Sequence, residues 1–233
     1  MKIIRVLLWW IFILSIPFLL ISTAVRLEIQ CLPFYEYAYQ KYHISEVTGF
    51  DRHQLEVITR HLIQFFNGKV EHAQLIVEKD NKPMYLFHDY EIEHLEDVKA
   101  IFQSVYQIQS ISLFYFLAYL LMTMISRKQK SWLVFWKGLR NGNILTVGLL
   151  VTLGIFTFLG FHQLFVQFHY LVFGDPQSSP WILDPRTDYL VMMYPLNFWQ
   201  DAAILGIATI LGTAIILIGV SWLFRRRYRG NHR

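Results

Sequence analysis

Residues 144–173 read ILTVGLLVTLGIFTFLGFHQLFVQFHYLVF, thirty residues without one Asp, Glu, Lys or Arg. About 20 apolar residues at a helical rise of 1.5 Å cover roughly 30 Å of hydrocarbon, so this stretch crosses a bilayer with turns to spare. Three further apolar stretches, 6–24, 111–125 and 202–224, are read the same way. The charges sort around these four spans. Lys2, Arg5, Arg127, Lys128, Lys130, Lys137, Arg140, Arg225, Arg226, Arg227, Arg229 and Arg233 fall in three short segments that alternating topology puts on one side. All 17 Asp and Glu lie in the other two regions, 26–110 and 174–201. By the positive-inside rule the basic segments face the cytoplasm, both termini with them, and the polar chemistry is extracytoplasmic. The expected localisation is a membrane crossed several times.

The expected division is a span at 1–25, an extracytoplasmic cap with an interfacial helix at 26–107 and a span at 108–126. A cytoplasmic loop follows at 127–143, then a span at 144–173, an aromatic outer loop at 174–200, a span at 201–224 and a basic tail at 225–233. A net charge of +4 in a soluble chain would suggest nucleic acid, but here membrane orientation accounts for the positive excess. The start of the chain, basic and then apolar, also has the outline of a cleaved secretory signal. Its apolar run exceeds the 7–15 residues of a signal core, so a retained anchor is expected. Cys31 is the only cysteine, and no intrachain disulfide can form.

The region between the first two spans, about 80 residues, suffices for a small cap but is marginal for an independent core. Asp51 can cap a helix whose apolar positions Leu55, Ile58, Leu62, Ile63 and Phe66 recur at helical spacing, ending at Asn67-Gly68. Residues 73–77 and 84–87 flank Asp80-Asn81-Lys82-Pro83 and predict a β-hairpin. From Tyr90 the chain is helical without Pro or Gly through Arg127, longer than a crossing requires. The fold class is thus an all-α integral membrane protein, four transmembrane helices with a small α/β extracytoplasmic cap.

Two places concentrate chemistry. His94 and Asp97 are three apart on one helix, where a carboxylate can orient an imidazole and favour its protonated form, or both can belong to a solvated face. In the third span His162 and His169, seven apart, share a face, as do Gln163 and Gln167. Polar residues at membrane depth are costly unless they face a cavity or a partner helix. The loop 174–200 holds Pro176, Pro180, Pro185 and Pro195 among Trp181, Tyr189, Tyr194 and Trp199, with Asp184, Arg186 and Asp188, the composition of an interfacial or lid-like segment. No Gly-x-Ser-x-Gly elbow, Cys-x-x-Cys, His-Glu-x-x-His or phosphate loop is present. The ligand-rich run His88, Asp89, Glu91, Glu93, His94 and Asp97 matches no metal spacing, so neither metal nor cofactor is expected. Acid–base chemistry by histidine remains.

The segment Phe87-His88-Asp89-Tyr90-Glu91-Ile92-Glu93-His94-Leu95-Glu96-Asp97-Val98-Lys99 resembles the Phe…Glu-x-x-His-x-x-Asp-Val-Lys motif of the four-span bacterial lipoprotein intramolecular transacylases. Phe168-His169-Tyr170-Leu171-Val172-Phe173, followed by Trp181, Asp184 and Pro195, is similar to that family's second segment. The resemblance extends over nearly the whole chain in topology, loop lengths and motif order. It implies catalysis by His94 and His169, supported by Asp97, Glu91, Trp181 and Asp184, with His88 and His162 as alternatives if a turn is misplaced. The implied reaction moves the sn-2 acyl chain of a diacylglyceryl-cysteine lipoprotein to its N-terminal α-amine, giving the lyso form. The implied partners are that lipoprotein and membrane lipid, without nucleic acid. The competing reading is a non-enzymatic membrane sensor or accessory subunit with a ligand-binding cap. A transporter is disfavoured because the spans lack charge at midplane depth.

Overall fold

A computed structural model describes residues 2–177 and 181–230, with the side chains of 228–230 left aside. Pro180 and Arg233 lie outside the described residues. In chain order the elements are α1 (Lys2–Ile29), α2 (Leu32–Lys41), α3 (Ile44–Thr48), α4 (Arg52–Phe66), β1 (Ile76–Lys79), β2 (Lys82–Tyr85), α5 (Asp89–Ser126), α6 (Gln129–Phe173), α7 (Tyr189–Met193) and α8 (Leu196–Gly230). Among the described residues α1, α5, α6 and α8 are the helices long and apolar enough to cross a membrane. The chain divides into two compact units, one of Met1–Val25, Val105–Ile155 and Ile204–Arg233, the other of Arg26–Ser104 and Phe156–Ala203.

The first unit is held by aromatic packing. Phe12 of α1 stacks on Tyr119 of α5 with ring centres 4.2 Å apart and lies against Phe135 of α6 at 5.4 Å. Two glycines let α6 approach α1. A Cβ on Gly138 would come within 2.8 Å of Phe12 Cδ1, and one on Gly142 within 2.4 Å of Ile16 Cδ1 and 2.9 Å of the Ile13 carbonyl oxygen. Residues 127–143, expected as the connection between the second and third spans, are helical from Gln129 onward and run on into the third span as one helix. Only Arg127, with φ 49°, and Lys128 separate α5 from α6.

The second unit has its own core of Phe50, Leu55, Ile58, Leu62, Phe65, Leu86, Leu95, Met193 and neighbours. Asp51 caps α4 in a reciprocal box: its side chain accepts from the Gln54 amide at 2.8 Å, and Gln54 Oε1 accepts from the Asp51 amide at 3.0 Å. Tyr39, Thr59 and Tyr194 form a buried hydroxyl chain that ties α2 and α4 to the residue closing α7. β1 and β2 pair antiparallel with Lys79 opposite Lys82, so the turn is the two residues Asp80-Asn81, with φ 53° and 61°. The hairpin therefore begins and ends closer to its turn than the sequence predicts. α6 is interrupted at Gly160, where φ −167° and ψ 58° leave the helical region, and the part of α6 beyond it belongs to this unit.

Candidate active site

The first turns of α5 and the last turns of α6 bring two histidines together. His94 is 7% exposed and His169 8% exposed, and their rings lie 6.1 Å apart at an interplanar angle of 30°. Apolar residues on either side fix both. Leu95 sinks into the core beside His94, which leaves the adjacent imidazole edge-on to Phe173 at 5.0 Å. Around His169 stand Phe165 at 4.1 Å, Phe173 at 5.3 Å and Trp181 at 5.3 Å.

The hydrogen bonds of the two rings differ. His169 Nδ1–H donates to the Phe165 carbonyl oxygen one turn back, at 2.8 Å. That bond selects the tautomer whose Nε2 carries the free lone pair. His94 Nδ1 is buried and, among the described residues, has no hydrogen-bond partner. Its charge state is set by burial. The early turns of α5, ahead of the apolar span, hold the His94 pKa down to about 4, chiefly because burial penalises the imidazolium and secondarily because His169 is close. Asp97, half-buried, works weakly in the other direction through its charge.

Trp181 closes one side of the pair. Its Nε1–H donates to the Gly174 carbonyl at 3.1 Å, and its ring meets Tyr170 edge-on at 4.9 Å. Gly174 can end α6 because its φ of 78° suits a residue without Cβ.

The remaining candidate residues fall elsewhere. Glu91 is fully buried, accepting from the His88 and Leu190 amides at 2.8 and 2.9 Å. Burial drives its carboxyl upward, against those two amide bonds. Asp184 is occupied by Arg186 in its own turn, Nη2 to Oδ2 at 2.6 Å, which holds it well below the usual carboxylate range. His88 is half-exposed and faces Glu91 at 3.0 Å, while His162, Gln163 and Gln167 are exposed, so of the polar stripe in the third span only His169 is buried. Asp188, which the sequence reading grouped with Asp184 and Arg186 and did not place among the supporting residues, is 2% exposed. In sequence it is one charge among several in a proline-rich loop, and no spacing distinguishes it.

With this geometry in hand, the chain compares with known proteins as follows. A protein from Aquifex aeolicus (strain VF5), described only as uncharacterized, is 29% identical over 140 residues, a match that spans 58% of this chain and 56% of that relative's length. The structure of the membrane integral lipoprotein intramolecular transacylase Lit from Bacillus cereus superposes with a TM-score of 0.81 at 18% identity, covering 98% of this chain and 99% of that one. A variant of the same protein with one histidine replaced by arginine gives a TM-score of 0.75 at 18% identity, over 99% and 96% of the two chains. At that identity the likeness shows a shared fold. Four membrane-length apolar helices on the fold of a membrane-integral protein make this chain a membrane protein. Because the sequence profile of one family, the lipoprotein intramolecular transacylase Lit, matches residues 10–199, which include both histidines and the helices that carry them, the chain belongs to that family.

Proposed function

We propose that the protein is an acyltransferase that moves the sn-2 acyl chain of a diacylglyceryl-cysteine lipoprotein to the α-amine of the same cysteine. The observation that carries this reading is the pairing of His94 and His169, two buried imidazoles 6.1 Å apart in an aromatic enclosure. Ester and amine belong to one molecule, so no acyl-enzyme is needed, only a fold of the lipid head that brings them together. The amine nitrogen attacks the ester carbonyl, the amide C–N bond forms, and the C–O bond to glycerol breaks. His169, whose Nε2 is the acceptor, takes the amine proton. That proton passes from His169 to His94, whose imidazolium is disfavoured by burial and gives it up to the departing glyceryl oxygen, so that both rings end neutral as they began. Trp181 shields His169, and Glu91 fixes the turn before His94. The clustering of Lys and Arg beside the spans supports cytoplasmic termini and an extracytoplasmic site facing the outer leaflet.

Substrate and product are isomers, which decides the test. Lipoprotein from cells with and without this protein is treated with alkali: the diacyl form releases both chains, while the lyso form keeps one as an amide. Mass spectrometry of the N-terminal peptide reads the difference. A retained amide-linked chain only in cells with the protein is expected, and equal release of both chains would refute the reading.

A further inference from the structure

Asp188 and Glu91 form one hydrogen-bonded junction inside the second unit. Asp188 Oδ1 accepts from the Tyr90 hydroxyl at 2.6 Å and the Thr187 hydroxyl at 2.8 Å, and its Oδ2 accepts from the Asp184 amide at 2.7 Å. Glu91 accepts from the amide of His88 and from that of Leu190, and its Oε2 also lies 3.0 Å from His88 Nδ1. His88 Nδ1 is 3.7 Å from Asp188 Oδ1, so the imidazole lies between two carboxylates.

Ligand atoms of His88, Glu91 and Asp188 fall within 4.8 Å of one another, a grouping that invites a metal reading. The donors argue otherwise. Leaving the His88 ring aside, Glu91 already accepts from two backbone amides, one on each oxygen, and Asp188 from two hydroxyls and an amide. A cation would have to displace them, including the Tyr90 hydroxyl, from the lone pairs it needs. What the bonds do instead is join two segments. Tyr90 and Glu91 belong to the first turn of α5, and Glu91 is one turn ahead of His94 on the same face. Asp184, Thr187, Asp188 and Leu190 belong to the segment that follows Trp181, whose ring packs on His169.

We propose that Asp188 is a positioning residue for acyl transfer, holding the turn that carries His94 in register with the segment that carries Trp181. The inference rests on the transacylase reading. Asp188 touches neither imidazole in any hydrogen bond among the described residues, so it acts through Tyr90 and the backbone. Its loss loosens the distance between the two rings and leaves the chemistry of each ring intact.

The test uses the full chain in detergent with a defined diacyl lipopeptide, comparing the parent with Asp188→Asn, Tyr90→Phe and the double variant. Asp188→Asn keeps the shape but turns an acceptor that meets three donors into a group carrying two donors of its own. It is expected to lower kcat about 10–100-fold with KM within about twofold, since misplacement of about an ångström is enough for such a loss. Tyr90→Phe, which removes a single bond and guards against a variant that fails to fold, is expected to lower kcat about 3–10-fold. The double variant is expected to match Asp188→Asn alone, because the bond that Tyr90→Phe removes is one that Asp188→Asn already disrupts. Amide hydrogen exchange supplies a readout apart from activity: the Asp184 and Leu190 amides are expected to exchange faster in Asp188→Asn. An active parent with Asp188→Asn at undiminished kcat, or losses that multiply in the double variant, would overturn the proposal. A parent without transacylase activity would instead sink the reading on which it rests, and the parent arm alone tells the two failures apart.

Discussion

Replacing His169 in two different ways separates its proton chemistry from its packing. His169→Ala removes both ring nitrogens and opens a hole among Phe165, Phe173 and Trp181. His169→Asn keeps an N–H close to where Nδ1 stands, able to donate to the Phe165 carbonyl, but has nothing at the position of Nε2. If Nε2 accepts the amine proton, both variants lose general-base catalysis, about 10²–10⁴-fold or roughly 3–5 kcal/mol of transition-state stabilisation. His94→Ala is expected to lose a similar factor. The two rings are 6.1 Å apart and act on one transfer, so the double alanine variant should be barely worse than either single one. The assay is single-turnover conversion of a diacyl lipopeptide to its alkali-resistant amide form, at matched concentrations of folded protein. Near-normal rates for His169→Asn would show that only the bond to Phe165 matters and would refute the base assignment. Multiplicative losses in the double variant would refute a shared proton path.

Three other outcomes follow from the same coordinates. His94 has its pKa lowered from 6.5 to about 4, so the unfolded chain binds more protons than the folded one between those values, and stability falls as pH drops through that window. The loss is on the order of 3 kcal/mol, and thermal melting in detergent from pH 7.5 to 4.5 should show a shallower decline for His94→Gln than for the parent. Glu91→Ala leaves the His88 and Leu190 amides unpaired where Glu91 is fully buried, costing about 1–3 kcal/mol for each, whereas Glu91→Gln retains one acceptor and should cost about half as much by the same melting measurement. Gly142→Ala sets a Cβ 2.9 Å from the Ile13 carbonyl oxygen and should destabilise by about 1–3 kcal/mol, while Gly148→Ala, with nothing within 4 Å, should be neutral or slightly stabilising; equal melting temperatures for the pair would contradict the close approach of α1 and α6.

The spans and the cap on α4 are legible in the sequence because each rests on one local property: apolar length for the spans, and an Asp set just before an apolar run of helical period for the cap. The hairpin is legible in kind but its edges are not. Pro83 argues against a strand, yet in a two-residue hairpin it sits one step from the closing pair, at a position whose N–H would point away from the partner strand. The short helices α2, α3 and α7, of ten, five and five residues, are too brief to show a period and depend on tertiary bonds such as those of Tyr39 and Leu190. The pairing of His94 with His169 joins positions 75 apart, a distance no local pattern encodes; the resemblance to a family nominated them. Asp188 had no such sponsor, because its one remote partner, Tyr90, lies 98 positions away and its other two, Thr187 and the Asp184 amide, belong to a loop that reads as ordinary surface charge.

Burial of His94 has a consequence for how the proposed transfer is divided between the rings. At pH 7 a histidine with the ordinary pKa of 6.5 is already mostly neutral, so holding it at about 4 adds little neutral form. What changes is the fate of a proton that reaches it. An imidazolium penalised by an aromatic, water-poor surrounding gives up its proton readily, which suits the donor to a departing alkoxide and handicaps the acceptor from an amine whose own pKa is about 7.7–8.0. His169, with Nδ1–H committed to the Phe165 carbonyl and Nε2 as the acceptor, has the complementary arrangement. Placement at the ester supplies the larger factor, because effective molarities of roughly 10⁵–10⁸ M for well-oriented intramolecular attack far exceed the concentration of bulk water. In the proposed transfer the two rings share one aromatic enclosure, and what makes them unequal is the bond by which His169 Nδ1–H is committed to the Phe165 carbonyl while His94 Nδ1 has no partner among the described residues.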